Sequence, residues 1–242
     1  APSFLGVLAF FFLPFLVVIF YSLVDNPISM NFVFLDNFRN VVQNAAFRTA
    51  VHNTAVFSAI AVPLAVVLSL LLAIVLESKL PFRSQFRTFF LSPMMVPVAS
   101  IVLIWQVLFH YNGAVNDLLG VFGVEKIDWL KSSYSIIVIV ILFLWKNLGY
   151  NMILFMAALQ SIPTDILEAA RIDGASTGQI FKYIQIPAIM LMVDFVLFDN
   201  IRGALQVFDI PFVMTAGGPG YASSTFTPVS YTHLRAHETL SD

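Results

Sequence analysis

Charged residues interrupt a largely apolar segment that covers residues 184–208. Asp194, Asp199 and Arg202 lie there, and ionisable groups inside a membrane mark solute or ion pathways by default. Asp199, Arg202 and Gln206 are spaced i, i+3 and i+7, which places them on one face of a helix. Asp199 and Arg202 either neutralise each other as a structural pair or contact solute. Asp194 either lines a pathway or faces a partner subunit.

A second polar group lies in the apolar segment 133–159. Lys146, Asn147, Tyr150 and Asn151 form a stripe, because 146 and 150, like 147 and 151, are one helical turn apart. Amide and aromatic groups suit hydroxyl-rich solutes, so Asn147, Tyr150 and Asn151 are candidate pathway residues. The alternative is that they form hydrogen bonds between membrane helices.

The sequence predicts no catalytic site and no metal site. His233 and His237 are four residues apart, which is a zinc-ligand spacing on a helix. However, the run VSYTHLRAHET at 229–239 resembles a translated sequencing adaptor, so we expect residues 228–242 to be a non-native tail. The absence of cysteine excludes disulfides, thiolate metal sites and a cysteine nucleophile. A net charge of −2 gives no indication of a nucleic-acid partner.

The composition places these polar groups in a membrane protein. The 242-residue chain is 59% hydrophobic and 11% charged, whereas soluble domains carry roughly 25% charged residues. A spanning helix needs about 20 apolar residues. We therefore predict an all-α, polytopic transmembrane bundle with five spans, at residues 4–23, 54–76, 88–109, 133–159 and 184–208. Because residue 1 is not methionine, we expect a short leader to precede the first span.

The distribution of basic residues predicts the orientation. The short loop 77–87 holds Lys79, Arg83 and Arg87, and the loop 160–183 holds Arg171 and Lys182. The loops 25–53 and 110–132, which are both longer than 77–87, carry only two basic residues each. By the positive-inside rule, both basic loops and the N-terminus are cytoplasmic.

The loop 160–183 contains signals for two short helices. Asp165 with Glu168 fits a capping box that starts a helix at Ile166, and Ser176 with Gln179 fits a second one. Gly174 suits the left-handed position that ends a helix. The loop is therefore predicted to be a helix–turn–helix, either a simple interfacial connector or a docking element. No phosphate-binding P-loop motif occurs, so any ATP hydrolysis belongs to another subunit.

The residues of this loop also resemble a known family. EAARIDGASTGQIFKYIQIPAI, at residues 168–189, closely resembles the EAA loop of binding-protein-dependent ABC importer permeases. FLDNFRNVVQNAAFRTAVHNT, FRTFFLSPMMVP and LQVFDIPFVMTAGGPG resemble the carbohydrate-uptake branch, and the resemblance covers residues 4–227. The matching positions in the loop are Glu168, Ala169, Ala170, Asp173, Gly174, Ala175, Phe181 and Pro187.

The resemblance implies a multi-subunit importer of a sugar or related polyol in the bacterial or archaeal inner membrane. The chain would pair with a second permease in the lipid bilayer, above two cytoplasmic ATPase subunits and below an extracytoplasmic solute-binding protein. ATP and Mg would bind the ATPase subunits, with no cofactor and no covalent chemistry in this chain. The family pattern also implies a sixth span after Thr227. The ATPase-coupling residues would be Glu168, Ala169, Ala170, Asp173, Gly174, Ala175 and Phe181.

Two other functions remain open at the level of sequence. An ion-coupled secondary transporter would use Asp194, Asp199 and Arg202 to couple solute movement to an ion gradient. A non-transporting membrane scaffold would make no functional use of the loop 160–183.

Overall fold

The fold is all α-helical in the part of the chain that the structure, a computed structural model, describes: residues 2–25, 28–77, 81–132 and 134–206. The predicted tail 228–242, with His233 and His237, lies outside these residues, as does the predicted end of the fifth span. The helices are α1 Ser3–Ser22, α2 Asp36–Gln43, α3 Ala45–Glu77, α4 Arg83–Met95, α5 Val98–Leu108, α6 Ala114–Val121, α7 Ser135–Gln160, α8 Thr164–Ile172, α9 Thr177–Ala188 and α10 Met190–Leu205.

Three of these helices, α1, α3 and α7, are each long and apolar enough to cross a membrane. Two further spans are possible where a bent pair of helices counts as one, namely α4 with α5 and α9 with α10. The polytopic helical architecture is thus confirmed. The chain also divides into two compact units, of which the first ends at Thr49 and the second begins at Ala50.

The third predicted span is not one straight helix. The axes of α4 and α5 differ by 101°, and the break falls at Val96 and Pro97. Pro97 has no N–H to continue a helix, and the residue before a proline is pushed to extended backbone, as the φ of −87° and ψ of 134° at Val96 show. Pro93 lies inside α4 and deprives the Phe89 carbonyl of its usual donor. Ser92 Oγ donates to that carbonyl at 2.8 Å instead.

The described residues of the second unit form two apolar clusters, and helices α3, α7 and α10 contribute to both. In the first cluster, the rings of Phe57 on α3 and Phe143 on α7 meet edge to face at 5.4 Å. In the second, Met152 and Phe155 of α7 pack with Val196 of α10, and all three are fully buried. Small residues at four-residue spacing on α3 are fully buried as well: Ala61, Ala65, Ser69 and Ala73.

Helices α4 and α7 approach each other closely at Gly149. A Cβ atom at this position would lie 1.9 Å from the Phe90 carbonyl oxygen and 3.0 Å from the Leu91 nitrogen, both in the backbone of α4. Glycine at a helix interface lets two backbones approach closely, which is how membrane helices gain packing energy. Only glycine fits at position 149 with α4 and α7 in this arrangement.

The connection between α5 and α7 is organised around Asn116, which is 1% exposed. Its Nδ2 donates to the carbonyls of Tyr111 at 2.9 Å and Ile127 at 2.7 Å. Its Oδ1 accepts from the Ile127 N–H at 3.2 Å and from Trp129 Nε1 at 2.9 Å. All four groups thereby have a hydrogen-bond partner, so Asn116 of α6 holds the irregular segment around Ile127 and Trp129 in a defined conformation.

Candidate functional site

Helix α8, which carries the Glu-Ala-Ala residues, begins two residues earlier than the predicted start at Ile166. It starts at Thr164, its N-cap is Pro163, and no side chain caps it. The predicted Asp165–Glu168 capping box is therefore wrong. Pro163 fixes its own backbone at a φ of −57°, which leaves Asp165 inside the first turn. There its carboxylate favours the helix through the dipole rather than through a cap.

The end of α8 has the bonding of a Schellman motif. The Gly174 N–H donates to the Arg171 carbonyl at 3.1 Å, and the Ala175 N–H donates to the Ala170 carbonyl at 3.0 Å. These are the two bonds that define the motif, and they require a left-handed residue just after the helix. Gly174 supplies it with a φ of +82°, which confirms the predicted turn.

The second predicted capping box is present at the start of α9. Ser176 Oγ accepts from the Gln179 N–H at 3.4 Å, and Gln179 Oε1 accepts from the Ser176 N–H at 2.8 Å. Residues Phe181–Gln185 form a wider π-helical turn that ends two residues before Pro187. Both sides of the turn at Gly174 are thus fixed by hydrogen bonds, so the segment is a defined helix–turn–helix.

This helix–turn–helix presents most of the family residues outward. Glu168, Ala169, Asp173 and Gly174 are exposed, while Ala170, Ala175 and Phe181 are half-buried. Ile162, just before α8, is buried in the second apolar cluster, and Leu167 packs against the same cluster. A shallow open hollow of 350 Å³ is lined by Asp173, Gly174, Ala175, Gln179, Ile180, Tyr183 and Ile184. The loop is therefore anchored on one side and free for a partner on the other.

One residue that the sequence analysis overlooked stands out on this free side. Ile172, the last residue of α8, is 86% exposed. This exposed aliphatic side chain lies beside Asp173 and Gly174. It adds apolar contact area to a surface whose charged side chains, Glu168 and Asp173, are also exposed. A signal was available in the sequence, because Ile172 interrupts the polar run between Arg171 and Asp173.

The polar stripe on α7 divides into two environments. Asn147 is half-buried, and its Nδ2 donates to the Phe143 carbonyl of its own helix at 2.8 Å. Lys146 and Tyr150 are also half-buried, whereas Asn151 is only 1% exposed. Asn147 and Tyr150 are therefore partly exposed in this subunit, and their role in the pathway stays a prediction.

Asn151 pairs with a residue that the sequence analysis did not single out. Its Nδ2 donates to Asn200 Oδ1 at 3.2 Å, and Asn200 Nδ2 donates to the Val196 carbonyl at 2.8 Å. Asn200 is 3% exposed, so this is a buried hydrogen bond between α7 and α10. Val196, Asn200 and Ala204 are the buried residues of α10. Their four-residue spacing is the signal that could have identified Asn200.

The charged residues of α10 lie on its more exposed faces. Arg202 Nη2 is 2.8 Å from Asp199 Oδ1, and Arg202 Nη1 donates to Gln206 Oε1 at 3.0 Å. Asp199, Arg202 and Gln206 thus lie on one face of the helix, as their spacing predicts, and an ion pair and a hydrogen bond join them in a row. Asp194 is exposed on the same helix. Among the described residues, no three histidine or acidic side chains cluster to hold a metal ion.

We expect Asn151 and Asn200 to act as a pair in stability. Asn151→Leu leaves Asn200 Oδ1 without its donor, and Asn200→Leu does the converse to Asn151. A double-mutant cycle on thermal unfolding of the assembled importer should give a coupling energy of about 0.6 kcal/mol and at most about 1.7 kcal/mol. The solute concentration for half-maximal uptake should be unchanged. Asn147→Leu is the matched control for stability, because the Asn147 amide donates within α7 and not to another helix. A change in solute preference without loss of stability in Asn151→Leu would instead assign Asn151 to the pathway.

The sequence matches the protein family described as the binding-protein-dependent transport system inner membrane component over residues 65–219. It is 33% identical over 204 residues to the trehalose/maltose transport system permease protein of Thermococcus litoralis, covering 84% of this chain and 69% of that protein. It is 34% identical over 217 residues to the sulfoquinovosyl glycerol transport system permease protein of Agrobacterium fabrum, covering 88% and 70%.

Solved structures support the same fold. The chain superposes with a TM-score of 0.80 on a bacterial ABC transporter involved in the import of the acidic polysaccharide alginate. The two share 20% sequence identity, and the superposition covers 93% of this chain and 77% of the other. The resemblance carried by the loop at Glu168 is thus confirmed. The chain belongs to the inner-membrane components of binding-protein-dependent transport systems and is a transport subunit rather than an enzyme.

Proposed function

We propose that this permease subunit translocates a sugar or related polyol. The observation that carries the proposal is the similarity, across more than four fifths of the chain, to permeases named for trehalose/maltose and sulfoquinovosyl glycerol transport. Asn147 and Tyr150 on α7 support it, because accessible amide and aromatic groups suit a hydroxyl-rich solute. Asp194 and the row of Asp199, Arg202 and Gln206 provide further polar groups on α10.

The proposed energy source lies outside this chain. A second, similar permease completes the membrane pathway, two cytoplasmic ATPase subunits bind ATP and Mg, and an extracytoplasmic binding protein delivers the solute. One solved relative was crystallised with such a periplasmic protein, carrying an alginate pentasaccharide. This chain needs no cofactor of its own in the scheme. It is embedded in lipid with its N-terminus in the cytoplasm, because the basic loops 77–87 and 160–183 then both face inward.

The proposed role of the α8–α9 turn is to transmit movement. Glu168, Ala169, Asp173 and Gly174 are exposed for an ATPase cleft, and the small Ala170 and Ala175 permit close approach. Both ends of the turn are fixed by hydrogen bonds, so a displacement of the turn is passed to α7 and α10 rather than absorbed. ATPase closure then moves the spans between inward-facing and outward-facing states.

Uptake by the assembled importer, reconstituted in vesicles with its binding protein, tests this proposal. Transport of radiolabelled disaccharide or polyol should require ATP on the ATPase side and should persist when ionophores collapse ion gradients. Uptake that continues without ATP and stops with ionophores would favour the ion-coupled alternative. The Asp199–Arg202 ion pair already weighs against that alternative, because each charge neutralises the other.

A further inference from the structure

Helix α2 presents an apolar face that the first unit leaves exposed. Its apolar residues follow helical spacing, and its polar residues Asp36, Asn40 and Gln43 lie on the opposite face. The exposed fractions of the apolar side chains, together with the residue just before the helix, are Leu35 58%, Phe38 50%, Val41 48% and Val42 59%. A short helix with this pattern needs an apolar surface to lie on.

The chain geometry before α2 determines how far from the membrane the helix can lie. The 20 residues of α1 have a length of about 30 Å, which is the thickness of the hydrocarbon core. After Ser22 the chain turns back: Val24 and Phe32 form an antiparallel bridge, and the Val33 N–H donates to the Leu23 carbonyl at 2.9 Å. The chain has therefore returned to the end of the span three residues before α2 begins.

A side chain of α2 then fixes the helix to that end. Asn37 Nδ2 donates to the carbonyls of Ser22 at 3.1 Å and Val24 at 2.7 Å. The last carbonyls of a helix have no partner within it, so Asn37 supplies part of the cap of α1. The first turn of α2 is thus in hydrogen-bond contact with the terminus of a membrane span.

Two aromatic residues, Phe32 and Phe34, also lie near the carboxyl end of α1. The rings of Phe32 and Phe34 meet edge to face at 5.6 Å, and the side chains are 60% and 64% exposed. They are joined through the antiparallel bridge to the end of α1. An exposed aromatic pair in water would be unfavourable, whereas at the boundary of the acyl chains the same area is buried.

We infer that α2 is an interfacial helix whose apolar face lies among phospholipid acyl chains, in the leaflet at the carboxyl end of α1. Its attraction is apolar rather than electrostatic, because α2 itself carries one acid, Asp36, and one base, Arg39. The helix would hold the end of the first span at a fixed depth. With the proposed cytoplasmic N-terminus, the leaflet at the carboxyl end of α1 is the outer one, and only this assignment rests on the proposed function. The inference itself does not depend on the solute or the energy source.

Nitroxide labels at single cysteines test the inference directly, since the sequence contains no cysteine. Phe38→Cys, Val41→Cys and Val42→Cys report on the apolar face, and Asn40→Cys and Gln43→Cys are matched controls on the polar face. All five side chains are exposed, so the labels displace no core residue. The importer is reconstituted in phosphatidylcholine vesicles, and collision with oxygen is compared with collision with a water-soluble nickel chelate.

The ratio of oxygen to nickel collision should be at least about three-fold higher on the apolar face than on the polar face. Adding phosphatidylglycerol to the vesicles should leave the ratio unchanged. Nickel access equal on both faces would place α2 in water and overturn the inference. Protection of positions 38, 41 and 42 from both reagents would also overturn it, because a protein partner would then cover the face.

Discussion

Gly149→Ala is expected to force helices α4 and α7 apart and to lower the free energy of unfolding by about 3 kcal/mol. The new Cβ would lie 1.9 Å from the Phe90 carbonyl oxygen, where ordinary contact begins at 3.4 Å. The obstructing atoms belong to the backbone of α4, so no side chain can rotate away. Separating the helices by roughly 1.5 Å would restore the contact distance but would open voids along their whole shared face.

Gly203→Ala is the matched control for this prediction. Gly203 lies in α10, and a Cβ atom there would meet nothing within 4 Å. Both substitutions gain about 1 kcal/mol of intrinsic helix propensity, so the difference between them isolates the contact with α4. The measurement is thermal unfolding of the assembled importer, together with the amount of permease in the membrane. Equal melting temperatures for the two variants would show that α4 and α7 do not approach at Gly149 in the membrane.

The sequence could not have identified Gly149 as a contact. Hydrophobic length predicts that residues 133–159 cross a membrane, but it does not tell which residue of the span faces a neighbour. That information comes from the pairing of α4 with α7, which involves residues far apart in the chain. A similar limit applies to Asn200: its four-residue spacing with Val196 and Ala204 could have placed it on a shared face of α10, but nothing in the sequence indicates that it bonds to Asn151.

The ends of helices, by contrast, could be predicted from the sequence where one or two neighbouring residues determine the backbone conformation. Gly174 predicted a left-handed turn and Ser176 with Gln179 predicted a capping box, and both are present. Asp165 with Glu168 has the same pattern, but Pro163 starts the helix earlier and removes Asp165 from the capping position. Where two start signals compete within three residues, the fixed φ of proline decided the outcome.

Gly174→Val is expected to uncouple ATP hydrolysis from uptake while the permease remains in the membrane. A β-branched residue at a φ of +82° costs about 1–3 kcal/mol. A Cβ there would meet nothing within 4 Å, so the strain is confined to the backbone. Its relief requires the turn to give up the Schellman bonds from Gly174 and Ala175. A turn that unwinds absorbs displacement, so solute uptake per ATP hydrolysed should fall about five-fold or more.

Two other glycines separate coupling from general damage. Gly178→Val places the same side chain in the same loop, at a right-handed position where a Cβ meets nothing. Gly123→Val imposes the same strain, at a φ of +76°, in the connection between α5 and α7. If the turn at Gly174 transmits the movement, only Gly174→Val lowers uptake per ATP while its membrane level matches both controls. If Gly174→Val retains normal solute-stimulated ATPase activity and uptake, the coupling role of this turn is refuted, because its geometry would then not matter to the ATPase.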